Sequence, residues 1–303
     1  MRINLGCCLG SRVQHSCSPP FERILMFNPS VEVIVEQPSV LAQPDLSFDA
    51  VIKRFPGLSE AKAVCMTGST AAGWGNTFSD IDMYAFADGD LDLPVDETME
   101  TWQSSDPSGV RWTIWMGAYG DQRVDLRVWP TDTLATVLAS YLEKEVEFCN
   151  TGDFLQDFVY RLSIGVPLKN DAFFKEMRDL LHGSSYARAL ARFLKADAEN
   201  CLTDVMGQLD SGDYKTARVS AGLAAGFMTD AALALSGELC RRKKWLLRRL
   251  ESTPQSGIGV DEYRTMVLDG LRPGESDADC ALRVARWTQS HIVRLEDAFL
   301  SAP

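Results

Sequence analysis

The sequence predicts an α+β protein: a small mixed β-sheet domain flanked by helices over residues 45–140, then an all-helical bundle domain over residues 141–303. Three observations predict it. Short apolar or alternating runs at residues 62–67, 80–87, 110–116 and 122–129 read as strands. After Trp129 and Pro130 the chain changes to helical periodicity, broken only by residues 164–168 and by turns near 183, 211, 254 and 273. Residues 1–44 follow neither pattern and form an N-terminal extension expected to be largely disordered.

Composition narrows the field before any motif is considered. The chain has 303 residues, 46% hydrophobic and 24% charged, which suits a globular protein with one large or two medium domains. A net charge of −12 disfavours a broad surface for nucleic-acid backbone and leaves a small, even cationic, partner as the better match. No uninterrupted apolar run is long enough to cross a membrane. The eight cysteines show neither C-x-x-C pairing nor spacing to histidine, so reduced thiols and a cytoplasmic location are expected. Residues 1–25 hold Cys7, Cys8, Cys17 and the adjacent Pro19 and Pro20, with an apolar stretch too short and interrupted for a signal peptide. Met26 offers an alternative start.

Taken in order, residues 31–36 alternate like a short strand, and 37–44 read as a Pro-containing linker. Phe48, Val51, Ile52 and Phe55 share one helical face that Pro56 and Gly57 terminate. The strand at 62–67 turns at Gly68 and Ser69 into the small residues 70–73, whose backbone N–H groups and hydroxyl suit an anion. Next comes the strand carrying Asp80 and Asp82, two apart and on one face, with Ile81, Met83 and Ala85 on the other. Paired carboxylates call for a cation, and an all-oxygen set suits Mg²⁺. An anion cradle followed by such a clamp is equipment for a nucleoside triphosphate. Residues 88–106 are acidic and turn-rich and read as a solvated loop. In 122–129, Val124, Leu126 and Val128 share a face, and Asp125 lies on the other between Arg123 and Arg127.

Gly68-Ser69, Ser79-Asp80-Ile81-Asp82 and Asp125, in this order, resemble the polymerase-beta-like nucleotidyltransferase superfamily, in particular its aminoglycoside (kanamycin/streptomycin adenylyltransferase) members. The resemblance covers about residues 45–130 and, more loosely, 185–250. It implies a Mg²⁺-dependent transfer of a nucleoside monophosphate, AMP from ATP, onto a hydroxyl of a small acceptor such as an aminoglycoside-like antibiotic or a metabolite, with release of pyrophosphate. Asp80, Asp82 and Asp125 would be the catalytic and metal-binding carboxylates for one or two ions, with Asp125 either a ligand or the general base. Gly68 and Ser69 would bind the β- and γ-phosphates. Some relatives are dimers, which leaves a homodimer open. An oligonucleotide-signal synthase of the same superfamily and a non-catalytic antitoxin-like module are the alternatives. Three repelling carboxylates argue against the latter.

In the helical half, residues 186–209 place Leu190, Leu194, Asp197, Cys201 and Val205 on one stripe. Residues 213–236 carry a small-residue seam with Tyr214, Ala217, Ala221, Ala224 and Met228, beside a stripe of Leu223, Phe227 and Asp230. Asp197 and Asp230 interrupt apolar stripes and are candidates for substrate binding or the general base. Residues 234–250 resemble the Gly…Lys-Trp helix from which such enzymes extend a lysine to the triphosphate. By position it is Lys244, with Lys243 as second choice, while Trp245 reads as core and Arg241, Arg242, Arg248 and Arg249 as a solvated basic face. Ser276 and Asp279 form a capping box for a final helix. His15, His182 and His291 all lie away from the motif.

Overall fold

Period-two alternation decides what each face of the sheet carries. In β2 (Ile81–Phe86) and β5 (Gln122–Trp129), Ile81, Met83, Ala85, Val124, Leu126 and Val128 enter one core, whereas Tyr84, Phe86 and Trp129 enter another on the opposite face. The computed structural model describes residues 47–301, apart from 77, 95–98, 120–121 and 144–145. These lie within one compact unit, residues 42–303. The segments expected at 1–25, 31–36 and 37–44 fall outside the described residues.

With β1 (Ala63–Thr67), β3 (Glu100–Ser105), β4 (Arg111–Tyr119) and β6 (Val166–Lys169), the sheet has six strands in the order β3-β4-β5-β2-β1-β6. Only β2 and β5 pair parallel; the other neighbours are antiparallel. The mixed sheet and the α+β class are as the sequence predicts. One face is covered by α1 (Phe48–Arg54), which is capped by Ser47, ended by the 3₁₀ turn Pro56–Ser59, and buries Val51 and Phe55 against Trp115. The other face receives α4 (Asp153–Ile164) and α5 (Asp171–His182), whose Phe158, Phe173 and Phe174 pack on Tyr84 and Phe86.

Two segments differ from expectation. The break at 164–168 is β6: its backbone satisfies the edge of β1 that would otherwise be unpaired. Within the acidic stretch, Glu100–Ser105 forms β3, an edge strand of mostly exposed residues, polar but for Trp102, that pairs with β4. A strand with no apolar face has no alternation to reveal it.

The remaining helices are α2 (Gly68–Ala71), α3 (Thr133–Glu143), α6 (Tyr186–Asp210), α7 (Tyr214–Leu235), α8 (Leu246–Ser252), α9 (Val260–Tyr263) and α10 (Asp277–Ser301). Helix α7 lies against both α6 and α10. Ala217, Ala221, Ala224 and Ala225 are fully buried, and their small side chains let the helix axes approach closely. Tyr214 is 48% exposed, so the seam begins one turn later than the periodicity suggests. Among the described residues no helix is long and apolar enough to cross a membrane.

The capping box at α10 forms as read, with Ser276 Oγ donating to Asp279 and accepting from its backbone N–H. Beside it, the hydrogen bond from Arg283 holds the Glu275 carboxyl down to about 2. A depressed carboxylate stabilises the fold above its unfolded value of 4.5, and that contribution is lost as the pH falls toward 2. Urea denaturation is therefore expected to separate wild type from Glu275→Gln at pH 6 and to bring them closer at pH 3.

Candidate active site

The end of the parallel pair β2–β5 gathers the charged residues. Asp82 is the direct register partner of Asp125 on β5 and of Thr67 on β1. Because both carboxylates alternate with Ile81, Met83, Val124 and Leu126, burying the apolar set commits Asp82 and Asp125 to the opposite, α4-facing side. Neighbouring strands lie about 4.8 Å apart, so two like charges sit side by side.

Gly68, at the end of β1, has φ +70°, and a Cβ there would lie 2.0 Å from Asp82 Oδ2. The turn thus requires glycine twice over, for its left-handed backbone and for the close approach of Asp82. Gly68→Ala is expected to cost about 1–2 kcal/mol for the backbone conformation alone. It should also push the Asp82 carboxylate aside and add to that cost, which urea denaturation of the variant against wild type would register. Ser69 follows Gly68 in α2, a single turn, and its carbonyl accepts from the Trp74 N–H.

Helix α4 supplies the counter-charges. Arg161 Nη1 lies 2.6 Å from Asp82 Oδ1 and its Nε donates to Asp157 Oδ2 at 2.9 Å. Asp157 also pairs with Arg242 at 2.9 Å and, more distantly, with Arg127 at 3.8 Å. Arg127 reaches Asp125 at 3.4 Å, and Asp80, just before β2, has Arg123 3.9 Å away. Thr67 Oγ1 donates to the Arg161 carbonyl and ties the strand end to this helix. Burial pushes the Asp82 carboxyl above its ordinary value; Arg161 opposes the rise and Asp125 adds to it.

A metal is therefore not the only cation available to these carboxylates: guanidinium groups already supply the compensating charge. Repulsion among Asp80, Asp82 and Asp125 does not by itself argue against a non-catalytic protein, because each has an arginine nearby. Among the described residues no group of three or more His, Cys, Asp or Glu side chains is gathered to hold a metal ion. Asp80 is the outlier, its side chain 42% exposed at the mouth of the strand. The adjacent pair Asp82 and Asp125 still fits Mg²⁺, which commonly takes one or two carboxylates and completes its shell with water and substrate phosphate.

The residues expected from the helical half fall around two neighbouring cavities. One, of about 350 Å³, is lined by Arg127, Asp157, Asp230, Arg241, Arg242 and Lys243 together with Phe154, Tyr160 and Phe227. The other, of about 750 Å³, shares Phe227 and Lys243 with it and adds Lys244, Trp245, Arg248 and Tyr263. Lys243–Trp245 is a 3₁₀ turn ahead of α8 rather than part of a longer helix. Trp245 is only partly buried and lines the second cavity instead of entering the core. The Lys244 ammonium lies 5.1 Å and the Arg248 guanidinium 5.2 Å from its ring centre. Trp74, from the loop after the Gly68-Ser69 turn, packs its ring 5.8 Å from that of Trp245, and its carbonyl accepts from Arg248 at 3.0 Å. That loop joins the turn to the second cavity.

Arg249 corrects the reading of a solvated basic face, for its side chain is fully buried. It bonds Asp230 at 2.7 Å and Glu238 at 2.5 Å, and Lys243 pairs with the other Asp230 oxygen. Asp230, with both oxygens engaged, is a strut beneath Lys243 and not a free proton acceptor. Asp197, on α6, is partly buried; burial raises its carboxyl, while Arg241 and Lys243 pull it back. Periodicity marked Asp230 as unusual but could not name Arg249 as its partner, 19 residues on. Asp157 and Arg161 gave less warning, since an acid and a base four apart on a helix resemble an ordinary surface pair.

No protein-family model matches the chain, and no curated protein matches it. Among solved structures it is similar to a nucleotidyltransferase-like protein from Exiguobacterium sibiricum, with a TM-score of 0.45 and 11% identity, covering 82% of this chain and 74% of that one. That likeness is too distant to carry an activity over to this chain.

Proposed function

We propose that this protein transfers a nucleoside monophosphate, AMP from ATP in the first instance, to a small-molecule acceptor and releases pyrophosphate. The observation that carries the reading is the pairing of Asp82 with Asp125 on parallel strands, beside a glycine turn that Asp82 closely approaches. Asp82 and Asp125, with Asp80 at the rim, would hold Mg²⁺, which when bound offsets charge on the triphosphate and on the leaving pyrophosphate. Ser69 and the Gly68 turn would face the β- and γ-phosphates. Lys244 and Arg248, which have no carboxylate partner among the described residues, would supply further positive charge, and Trp245 offers a ring beside them.

In the reaction an acceptor oxygen forms a bond to the α-phosphorus. The bond from that phosphorus to the pyrophosphate oxygen breaks, and pyrophosphate departs with the electron pair. A hydroxyl acceptor gives its proton to a carboxylate, for which Asp125 is the candidate when it is not engaged by the metal. Arg161 holds Asp82 in place, and Arg127 orients Asp125.

The test is pyrophosphate release from ATP, GTP, CTP and UTP with Mg²⁺, with and without a panel of acceptors. Acceptor-dependent release supports the reading, whereas release without an acceptor favours oligonucleotide synthesis. One observation favours a second reading, a non-catalytic binding module: every carboxylate of the cluster already has an arginine beside it. If no triphosphate is consumed and none shifts the melting midpoint, that second reading stands.

A further inference from the structure

The smaller cavity adjoins the Asp82–Asp125 pair through two lining residues: Arg127 pairs with Asp125, and Asp157 shares Arg161 with Asp82. Its carboxylates are all committed. Asp153 is held by Arg241 at 2.8 Å, Asp157 by Arg242 at 2.9 Å, and Asp230 by Arg249 and Lys243. Two of its three aromatic rings are committed too, for the Arg127 guanidinium lies 5.2 Å from the centre of the Phe154 ring and the Lys243 ammonium 4.8 Å from that of Phe227. A cationic guest thus finds each lining carboxylate already paired and only the Tyr160 ring without a cation over it. Donors outnumber acceptors: four cationic side chains, Arg127, Arg241, Arg242 and Lys243, line the cavity against three carboxylates. Arg127 Nη1 is buried without a hydrogen bond, its ion-pair partner Asp157 being 3.8 Å away, and the Arg242 side chain is 55% exposed at the mouth.

We infer that this cavity binds the acceptor, and that the acceptor is an anion with a flat apolar body, an aromatic or conjugated carboxylate, and not a polycation of the aminoglycoside kind. Its acidic group would meet Arg242 and Arg127, and its ring would lie among Phe154, Tyr160 and Phe227. This assignment rests on the nucleotidyl-transfer reading. It reverses the cationic acceptor that the net charge of −12 suggests, because the local surplus of donors outweighs a charge spread over the whole surface.

The test uses the full chain and two probes with one ring system, 6-hydroxy-2-naphthoate and the cation 6-(aminomethyl)-2-naphthol, with kanamycin as a polycation. Calorimetry is expected to give about tenfold tighter binding of the naphthoate than of the amine. Arg242→Gln should weaken the naphthoate several-fold. Asp153→Asn, at a side chain 91% exposed, should strengthen it by releasing Arg241. Both positions are exposed enough for the variants to fold. Equal or tighter binding of the amine, a melting midpoint raised by kanamycin, or indifference to both variants would overturn the inference. So would competitive displacement of the naphthoate by Mg·ATP, which would make the cavity part of the nucleotide site. Pyrophosphate release tells the two readings apart. Naphthoate binding without consumption of any triphosphate leaves the site standing and removes the transferase. Turnover with cationic acceptors alone keeps the transferase and removes the site.

Discussion

Asp82→Asn is expected to lower the pyrophosphate release of the proposed nucleotidyl transfer by ~10²–10³-fold or more, while the melting midpoint stays at or above that of the wild type. The two halves of this result have one cause. Asp82 carries its charge in a place where burial disfavours it, and Arg161 recovers only part of the loss. A carboxyl whose folded value is raised favours the folded state at pH below the unfolded 3.8, and that contribution disappears as the pH rises through the higher folded value. At neutral pH the ionised group is a burden that Asn removes. Arg161 keeps Asp157 at 2.9 Å, so its own charge is not abandoned. Activity is read as pyrophosphate and stability by calorimetry. A variant that keeps full turnover would remove Asp82 from the mechanism, and one that melts far below wild type would make its role structural.

Arg249→Met should have the largest effect on stability, about 3–5 kcal/mol, because it leaves Asp230 and Glu238 without their shared partner. Burial already pushes the Glu238 carboxyl up and Arg249 is what draws it down, so the variant exposes the full cost of the buried charge. For a domain of this size the fall in melting midpoint is about 6–20 °C. Adding Asp230→Asn to Arg249→Met should recover a large part of it. That recovery would identify uncompensated charge, and not lost side-chain volume, as the cause. A fall below 1 kcal/mol in the single variant would mean that Lys243 alone suffices for Asp230.

The strands that carry the candidate site were legible because each has an apolar face. Val124, Leu126 and Val128 fix the side on which Asp125 emerges, and Ile81, Met83 and Ala85 do the same for Asp82. The α7 seam was legible from alanine spacing, and the cap of α10 from Ser276 and Asp279. Strands β3 and β6 were not, since one has no buried face and the other is four residues long with a proline in it. Trp245 and Arg249 were misplaced because residue type alone sends a tryptophan to the core and an arginine to solvent, and only the contacts of the fold reverse both.

By itself the sequence determined the α+β class, the order of most elements, Gly68 at the end of a strand, and Asp82 and Asp125 on strands. Those properties follow from local periodicity and from the conformational demands of single residues. Only the tertiary structure decided that Asp82 and Asp125 are register partners, that Arg161 and Arg127 hold them, and that Arg249 is buried beneath the cleft. Charge partners 79 or 19 residues apart leave no periodic trace, since an ion pair depends on where two elements meet and not on the spacing within either. For the same reason the charge lining a cavity could oppose the net charge of the chain.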